Sequence, residues 1–216
     1  MKTTSKVAVI GLGNIGQAVA GNLAKSEVQF IVADRNFEKA QKLSEKWGNK
    51  VQPNDIPAAV KYADIIILAI PFEAFEGFLK EYSSDLEGKI IVDPSNPIAP
   101  DENGGFRKII GEKESAGEII SSFLPKSAKL VKALGTLGVE SLMKSAYKTS
   151  EKAVLFYATD DESINSDAED LITDIGFVPL KIGGIDQSVR IEVFGDLHEF
   201  GALGKPVTLA EAKKKL

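Results

Sequence analysis

The sequence predicts an α/β fold: a doubly wound, mostly parallel sheet with helices on both faces and a small C-terminal α/β extension. Three observations predict it. Short, nearly continuous apolar runs alternate with amphipathic stretches along most of the chain. Runs that are apolar at every position belong to strands buried on both faces, as in a parallel sheet covered by helices. A glycine-rich turn separates the first such run from the first amphipathic stretch, and right-handed β-α crossovers then wind the sheet in both directions.

The run KVAVIG at 6–11 opens the sheet, and Ile15, Ala18, Val19, Asn22 and Leu23 share one face of the helix that follows. VQFIVAD at 28–34 is the second strand. Phe37, Ala40, Leu43 and Trp47 form the stripe of a second helix, with Asn36 as its N-cap. Strands at 63–71 and 88–94 are separated by a helical stretch around Phe75, Phe78 and Leu79. Residues 97–114 hold two prolines, paired glycines and many charges, and read as a mobile, solvated surface loop, with a functional lid as the alternative. The rhythm then resumes with a helix at 116–124, a strand at 128–134, a helix near 139–146, a strand at 152–159, a helix at 161–175 and a strand at 177–182. From Gly183 the chain is expected to pack helices back onto the sheet and to end in the solvated EAKKKL. No linker interrupts the chain, so the expected organisation is a dinucleotide-binding domain over 1–150 with residues 151–216 packed on it.

The 216 residues, 44% of them hydrophobic, suit one large domain with a modest appendix. A net charge of -5, with three arginines among 26 basic residues, argues against nucleic acid or an anionic membrane as partner. The absence of cysteine removes disulfides, thiolate metal sites and a cysteine nucleophile, and no metal is expected. The apolar run near DIIILAIP is too short to span a bilayer. Met1 leads almost directly into a strand, which leaves no room for a signal peptide. The expectation is a soluble, cytoplasmic protein with a small-molecule substrate; a homodimer is compatible with the sequence.

The chemistry is carried by GLGNIG, in which Gly11, Gly13 and Gly16 frame Leu12, Asn14 and Ile15. The first glycine permits a tight turn, the second lets backbone approach a pyrophosphate, and the third lets helix pack close on strand. The helix N-terminus then offers unpaired N–H groups and a partial positive charge to phosphates. The motif alone is common. Here it follows a strand, opens an amphipathic helix and precedes an acidic residue 18 positions after Gly16, the context of a Rossmann-like dinucleotide site. The carboxyl ends of the strands at 63–71 and 88–94 reach the same crevice. Ile70, Pro71, Ser95, Asn96 and Pro97 are therefore expected beside the nicotinamide, with Ser95 or Asn96 bonding its carboxamide or ribose.

Asp34 and Arg35 give opposite advice on the cofactor. Asp34 would accept hydrogen bonds from the ribose hydroxyls of NAD, whereas Arg35, helped by Asn36 and Lys39, would welcome the additional phosphate of NADP. A carboxylate about 4 Å from a phosphate charge costs roughly 1 kcal/mol in water and about 4 kcal/mol at an effective dielectric near 20. A turned-away Asp34 escapes that cost, so NAD and NADP both stay open.

The ordered set VAVIGLGNIGQAVA, IIILAIPFEAF, IIVDPSNPIAP, SAGEIISSFLPKSAKLVKALGTLG, YATDDE and IGFVPLKIGG resembles the deazaflavin (coenzyme F-420)-dependent NADP oxidoreductase family over roughly residues 5–193. The resemblance implies hydride transfer between a nicotinamide dinucleotide and a deazaflavin or flavin-like acceptor, with Gly135, Thr136 and Leu137 at the substrate. The family usually carries Ser or Thr before the arginine, where this chain has Asp34, and often Asn where it has Gly135.

No catalytic dyad is visible, and the catalytic residue stays unassigned. Hydride transfer between stacked rings needs closeness and orientation more than acid or base chemistry. The single histidine, His198, reads as a surface or interface residue before a general acid, and Tyr157 as core. Lys132 sits in a strand and could face either side. Asp160 and Asp161 read as helix caps, and Arg190 with Glu192 as an intramolecular ion pair. The competing readings are a carbonyl or imine reductase and a dinucleotide sensor that does not turn over.

Overall fold

The protein is described by a computed structural model covering residues 5–102 and 104–216. The chain enters through β1 (Val7–Ile10), turns at Gly11 and forms α1 (Asn14–Leu23). β2 (Phe30–Ala33) and α2 (Phe37–Trp47) follow, and the Asn36 side chain caps α2 by accepting from the Lys39 N–H. Two elements that periodicity did not reveal come next, β3 (Val51–Asn54) and α3 (Ile56–Tyr62). β3 lies at the sheet edge and contains Pro53, which only an edge strand tolerates, so it lacks the apolar run of a central strand. α3 has seven residues and starts where Asp55 accepts from the Ala58 N–H.

β4 (Ile65–Leu68), α4 (Phe75–Glu81) and β5 (Ile90–Asp93) match the expected strand-helix-strand. The segment 97–114 departs from the expected loop, because β6 (Ile98–Pro100) and β7 (Phe106–Lys108) pair there as a small antiparallel hairpin. Its glycine signal marks the turn, where Gly104 and Gly105 take φ of 90° and 81°. The remaining elements are α5 (Ala116–Ser121), β8 (Lys129–Ala133), α6 (Val139–Ser145), β9 (Val154–Ala158), α7 (Asn165–Asp174) and β10 (Val178–Gly183). Beyond Gly183 the chain is mostly irregular. α8 (Ser188–Ile191) and α9 (Leu209–Ala212) have four residues each, and Ala212 of the expected solvated tail is buried.

All strands except β6 and β7 join one eight-stranded sheet in the order β10-β9-β8-β5-β4-β1-β2-β3. Pairing is parallel except between β8 and β9. The strand order reverses at β1, which lies between β2 and β4. The carboxyl ends of β1, β2, β4, β5 and β8 therefore line one edge with a switch point at its centre, where ligands of open α/β sheets bind. One face of the sheet packs α1, α2, α6 and α7 around Val9, Val32, Ile67, Val131 and Leu155. The other packs α3, α4 and α5 around Ala8, Ile31, Ile66 and Ile91. A third cluster, with Ile191, Leu197, Leu203 and Val207, covers β9 and β10. The boundary expected at 150 falls in the connection before β9, and both later strands extend the same sheet.

Residues 192–201 cross beneath the loops that follow β5 and β8 and are tied there by polar contacts. Lys132 of β8 turns inward, 2% exposed, and its ammonium donates to Asp93 Oδ2 at 2.7 Å and to the Ser95 carbonyl at 2.6 Å. Glu192 Oε1 lies 3.6 Å away. Both Glu192 oxygens also accept from the start of α5, from Ala116 and Gly117 N–H at 2.9 Å each. Glu192 and Arg190 are thus not each other's partners, since Arg190 pairs with Asp196. Farther along, Glu199 accepts from the Gly138 N–H and the Ser141 hydroxyl at the start of α6.

His198 is 1% exposed, not the surface residue expected. Its Nδ1 accepts from the Phe200 N–H at 2.9 Å, which leaves Nε2 as the N–H that donates to the Gly135 carbonyl, also 2.9 Å. Burial, and secondarily the Lys132 charge, hold its pKa down at about 4 against the favourable Gly135 and Glu199 contributions. The unfolded chain therefore binds a proton near pH 6.5 that the folded chain refuses until about pH 4. Stability is complete above pH 6.5 and falls as pH drops toward 4, by on the order of 3 kcal/mol. Urea unfolding across this window measures it, and His198→Gln flattens the slope. The same method tests the buried lysine: Lys132→Met leaves Asp93 and Glu192 uncompensated and lowers stability by roughly 3–5 kcal/mol.

A candidate dinucleotide site at the sheet edge

The turn between β1 and α1 is shaped by crowding at two of its three glycines. Gly11 has φ of 90° and donates to the Ala33 carbonyl at 2.9 Å; a Cβ there would stand 2.4 Å from the Ala69 carbonyl oxygen. At Gly16 a Cβ would meet the Gly11 carbonyl oxygen at 1.9 Å. Gly13 differs, because a Cβ would meet no atom within 4 Å. The protein's own packing therefore demands glycine at 11 and 16 and leaves open space at 13. Gly13 is also the N-cap of α1, where no side chain caps the helix and no acidic residue occupies the first turn. The N–H groups of Asn14, Ile15 and Gly16 begin a ten-residue helix whose positive end faces that space. Leu12 is buried core.

Asp34, at the end of β2, is the clip of this turn. Oδ2 accepts from the Leu12 N–H at 2.8 Å and Oδ1 from the Asn36 N–H at 2.9 Å, so one carboxylate joins the glycine loop to the start of α2. Lys39 Nζ stands 3.9 Å from Oδ2. Each oxygen keeps a second acceptor position. Arg35 is exposed and makes no hydrogen bond or ion pair among the described residues. Asn36 spends its side-chain oxygen on the α2 cap.

Across the switch point, Ile70 packs against the Gly11 turn and onto the α3–α5 face. Pro71 is exposed and starts a short 3-10 turn, Phe72–Ala74. Beyond β5, Ser95 is locked by its backbone on both sides: its N–H donates to Asp93 Oδ1 at 2.7 Å and its carbonyl accepts from Lys132. The Ser95 hydroxyl is buried and has no partner. Asn96, by contrast, is committed to the protein, with Nδ2 donating to the Gly135 carbonyl at 3.0 Å and Oδ1 accepting from the Val193 N–H at 2.7 Å. Pro97 is buried beside it.

The loop after β8 lies deeper than a substrate lining usually does. A Cβ at Gly135 would stand 2.6 Å from the Pro94 carbonyl oxygen, so glycine is required for the two loops to touch. Leu137 belongs to the core, and Thr136 is buried with its hydroxyl unpartnered. Gly135 thus acts as a hub, its carbonyl receiving Asn96 and His198 together. Sequence reasoning missed Asp93 and Glu199; the acid that ends VD in IIVDPSN was the available signal for the first, and nothing local marks the second. Of the other titratable candidates, Tyr157 is core as expected and donates to Glu169 at 2.8 Å. Asp161 caps the turn before α7 by accepting from Ser163, whereas Asp160 instead accepts from the Ile185 N–H at 2.8 Å.

The model of the family "NADP oxidoreductase coenzyme F420-dependent" matches residues 6–97. The F420-dependent NADP reductase of Methanocaldococcus jannaschii is 28% identical over 139 residues, 59% of this chain and 61% of that protein. Metalloreductase STEAP3 of Rattus norvegicus is 24% identical over 191 residues, 88% of this chain but 36% of that one. The chain therefore spans less than two thirds of either relative. Among solved structures, a hypothetical protein from Sinorhizobium meliloti superposes with a TM-score of 0.78 at 29% identity, covering 95% of this chain and 93% of its own. No helix among the described residues is long and apolar enough to cross a membrane. The stretch that matches this family, residues 6–97, holds the glycine turn, the Asp34 clip and the strands on either side of the switch point.

Proposed function

We propose that the protein is an NADP(H)-dependent oxidoreductase whose dinucleotide lies across the switch point and whose acceptor is a planar, flavin-like molecule. The observation that carries the reading is the contrast among the three glycines: 11 and 16 are enforced by the fold, and only 13 is left open, at an uncapped helix start. The residues present fit a dinucleotide. The α1 N–H groups would hold the pyrophosphate, and the Ser95 hydroxyl, a buried group without a partner, would bond the nicotinamide end. Bound there, the nicotinamide supplies or receives the hydride.

The chain's own part is positional. The backbone of Ser95 is held by Asp93 and Lys132, so its hydroxyl needs no reorganisation on binding. His198, Tyr157 and Lys132 are not free to act as the acid: His198 gives its N–H to Gly135, Tyr157 bonds Glu169 and Lys132 is enclosed by acceptors. That favours a ring-to-ring hydride transfer over the carbonyl or imine reductase, which needs a general acid. For the phosphate end, Asp34 already serves two backbone N–H groups and faces Lys39, which offsets its repulsion of a phosphate. Arg35 and Lys39 then meet the additional phosphate of NADP. The family description and the archaeal reductase support the same choice.

Titration with NADPH and NADH, followed by nicotinamide fluorescence, checks this. NADPH binds tighter, and Arg35→Ala weakens NADPH by roughly tenfold or more while sparing NADH, the loss of a charge-assisted contact. Tighter NADH binding with a neutral Arg35→Ala would make Asp34 a ribose reader instead. Gly13→Val abolishes binding of both dinucleotides without changing the melting temperature, because only ligand space is filled. Gly16→Ala destabilises the fold itself.

A further inference from the structure

Two exposed aromatic residues take the left-handed backbone conformation, Tyr147 and Phe194; the Tyr147 hydroxyl is held by the Asn22 and Asp174 carbonyls, whereas the Phe194 ring has no such anchor. Residues Glu192 to Gly195 form a tight turn closed by the Gly195 N–H donating to the Glu192 carbonyl at 2.8 Å. Its third residue, Phe194, has φ of 73° and is 52% exposed. Glycine is the residue that such a position favours, and a bulky side chain in the left-handed region is a genuine outlier. The turn is not free to relax. Glu192 is fixed on the start of α5, Val193 donates to Asn96 Oδ1, and a Cβ at Gly195 would meet the Val189 and Arg190 carbonyl oxygens at 2.4 Å. These anchors hold a phenyl ring in solvent one residue from the contact to Asn96, at the carboxyl end of β5. An exposed ring held in a disfavoured conformation by surroundings that over-determine it calls for a functional reason.

We propose that Phe194 is a substrate-contacting residue: its ring is the wall against which the planar acceptor lies beside Asn96, and so it selects the acceptor without touching the dinucleotide. The inference rests on the oxidoreductase reading above. The strain separates this role from a merely structural one, because removing the ring and relieving the backbone have opposite effects on affinity and stability.

Riboflavin is the probe. Its fluorescence quenching is measured on protein saturated with NADP+, and NADPH binding is titrated separately on every variant. Phe194→Gly is expected to raise the melting temperature, to weaken riboflavin by about tenfold and to leave NADPH unchanged. Phe194→Ala keeps the strain and loses the same riboflavin affinity, and Phe194→Tyr retains it. The proposal is overturned if the Gly and Ala variants bind riboflavin as the parent does, or if Phe194→Gly melts lower with riboflavin affinity unchanged. A parent protein that binds NADPH and not riboflavin also overturns it while leaving the dinucleotide reading intact. Failure to bind NADPH sinks that reading and this one together.

Discussion

The buried ammonium of Lys132 is the constraint on which the carboxyl edge of the sheet depends. It stands between Asp93 and Glu192 and also holds the Ser95 carbonyl. One positive and two negative side chains leave an excess negative charge, and backbone N–H groups meet it: Ser95 at Asp93, Ala116 and Gly117 at Glu192. Replacing such a network with apolar residues of equal volume is often neutral or stabilising, so net stability is a poor account of its presence. Location is the better one. The network joins β5, β8, the start of α5 and the C-terminal segment at one point, and no apolar contact would fix the Ser95 backbone from both sides.

The glycine turn solves the complementary problem, how to bring backbone close without closing the space beside it. Gly16 lets α1 approach the turn to a distance no Cβ would permit, and Gly11 does the same toward the strand end at Ala69. The clip from Asp34 then pins Leu12 so that the turn cannot close over Gly13. Asp34 is for this reason part of the scaffold whichever dinucleotide binds. A carboxylate at this position is usually weighed only as a ligand group for the ribose, and here that weighing omits two backbone hydrogen bonds.

Legibility in the sequence followed burial and locality. β1 and β4 are buried at every position, and VAVI and IIIL show it. Asn36 caps α2 three residues on and Gly16 packs on Gly11 five residues back, and both were readable. β3 was not, because a four-residue edge strand with Pro53 carries no apolar period, and the β6–β7 hairpin was hidden by the very Gly and Pro signals that make its turn. His198 was misplaced for a different reason. Its partner Gly135 lies 63 residues away in sequence, and a histidine kept neutral by tertiary burial looks locally like any exposed one. The pairing of Glu192 with Lys132 rather than Arg190 is likewise a tertiary fact, since Arg190 finds Asp196 within its own turn.

Several departures from local consistency lie near one another at the carboxyl edge of the sheet. Leu134, with φ of 67°, immediately precedes Gly135, and Phe194 follows Val193, which bonds Asn96. The unpartnered hydroxyls of Ser95 and Thr136 lie on the same two loops. Others lie off those two loops, at Ser127 and Tyr147, which also have positive φ, and at Asn165 and Ser188, whose side chains hold buried atoms without partners. A fold under selection for stability alone would satisfy the Ser95 and Thr136 hydroxyls and put glycine at 194, since each change is a single substitution that lowers the free energy of the folded state. Costs that persist together on adjoining loops, held in place by a buried ion network, are what a binding site requires: groups kept unsatisfied and surfaces kept exposed until a ligand arrives. The strained and unpartnered groups of these two loops lie at the edge that strand topology selects independently, and the proposed site rests on that coincidence.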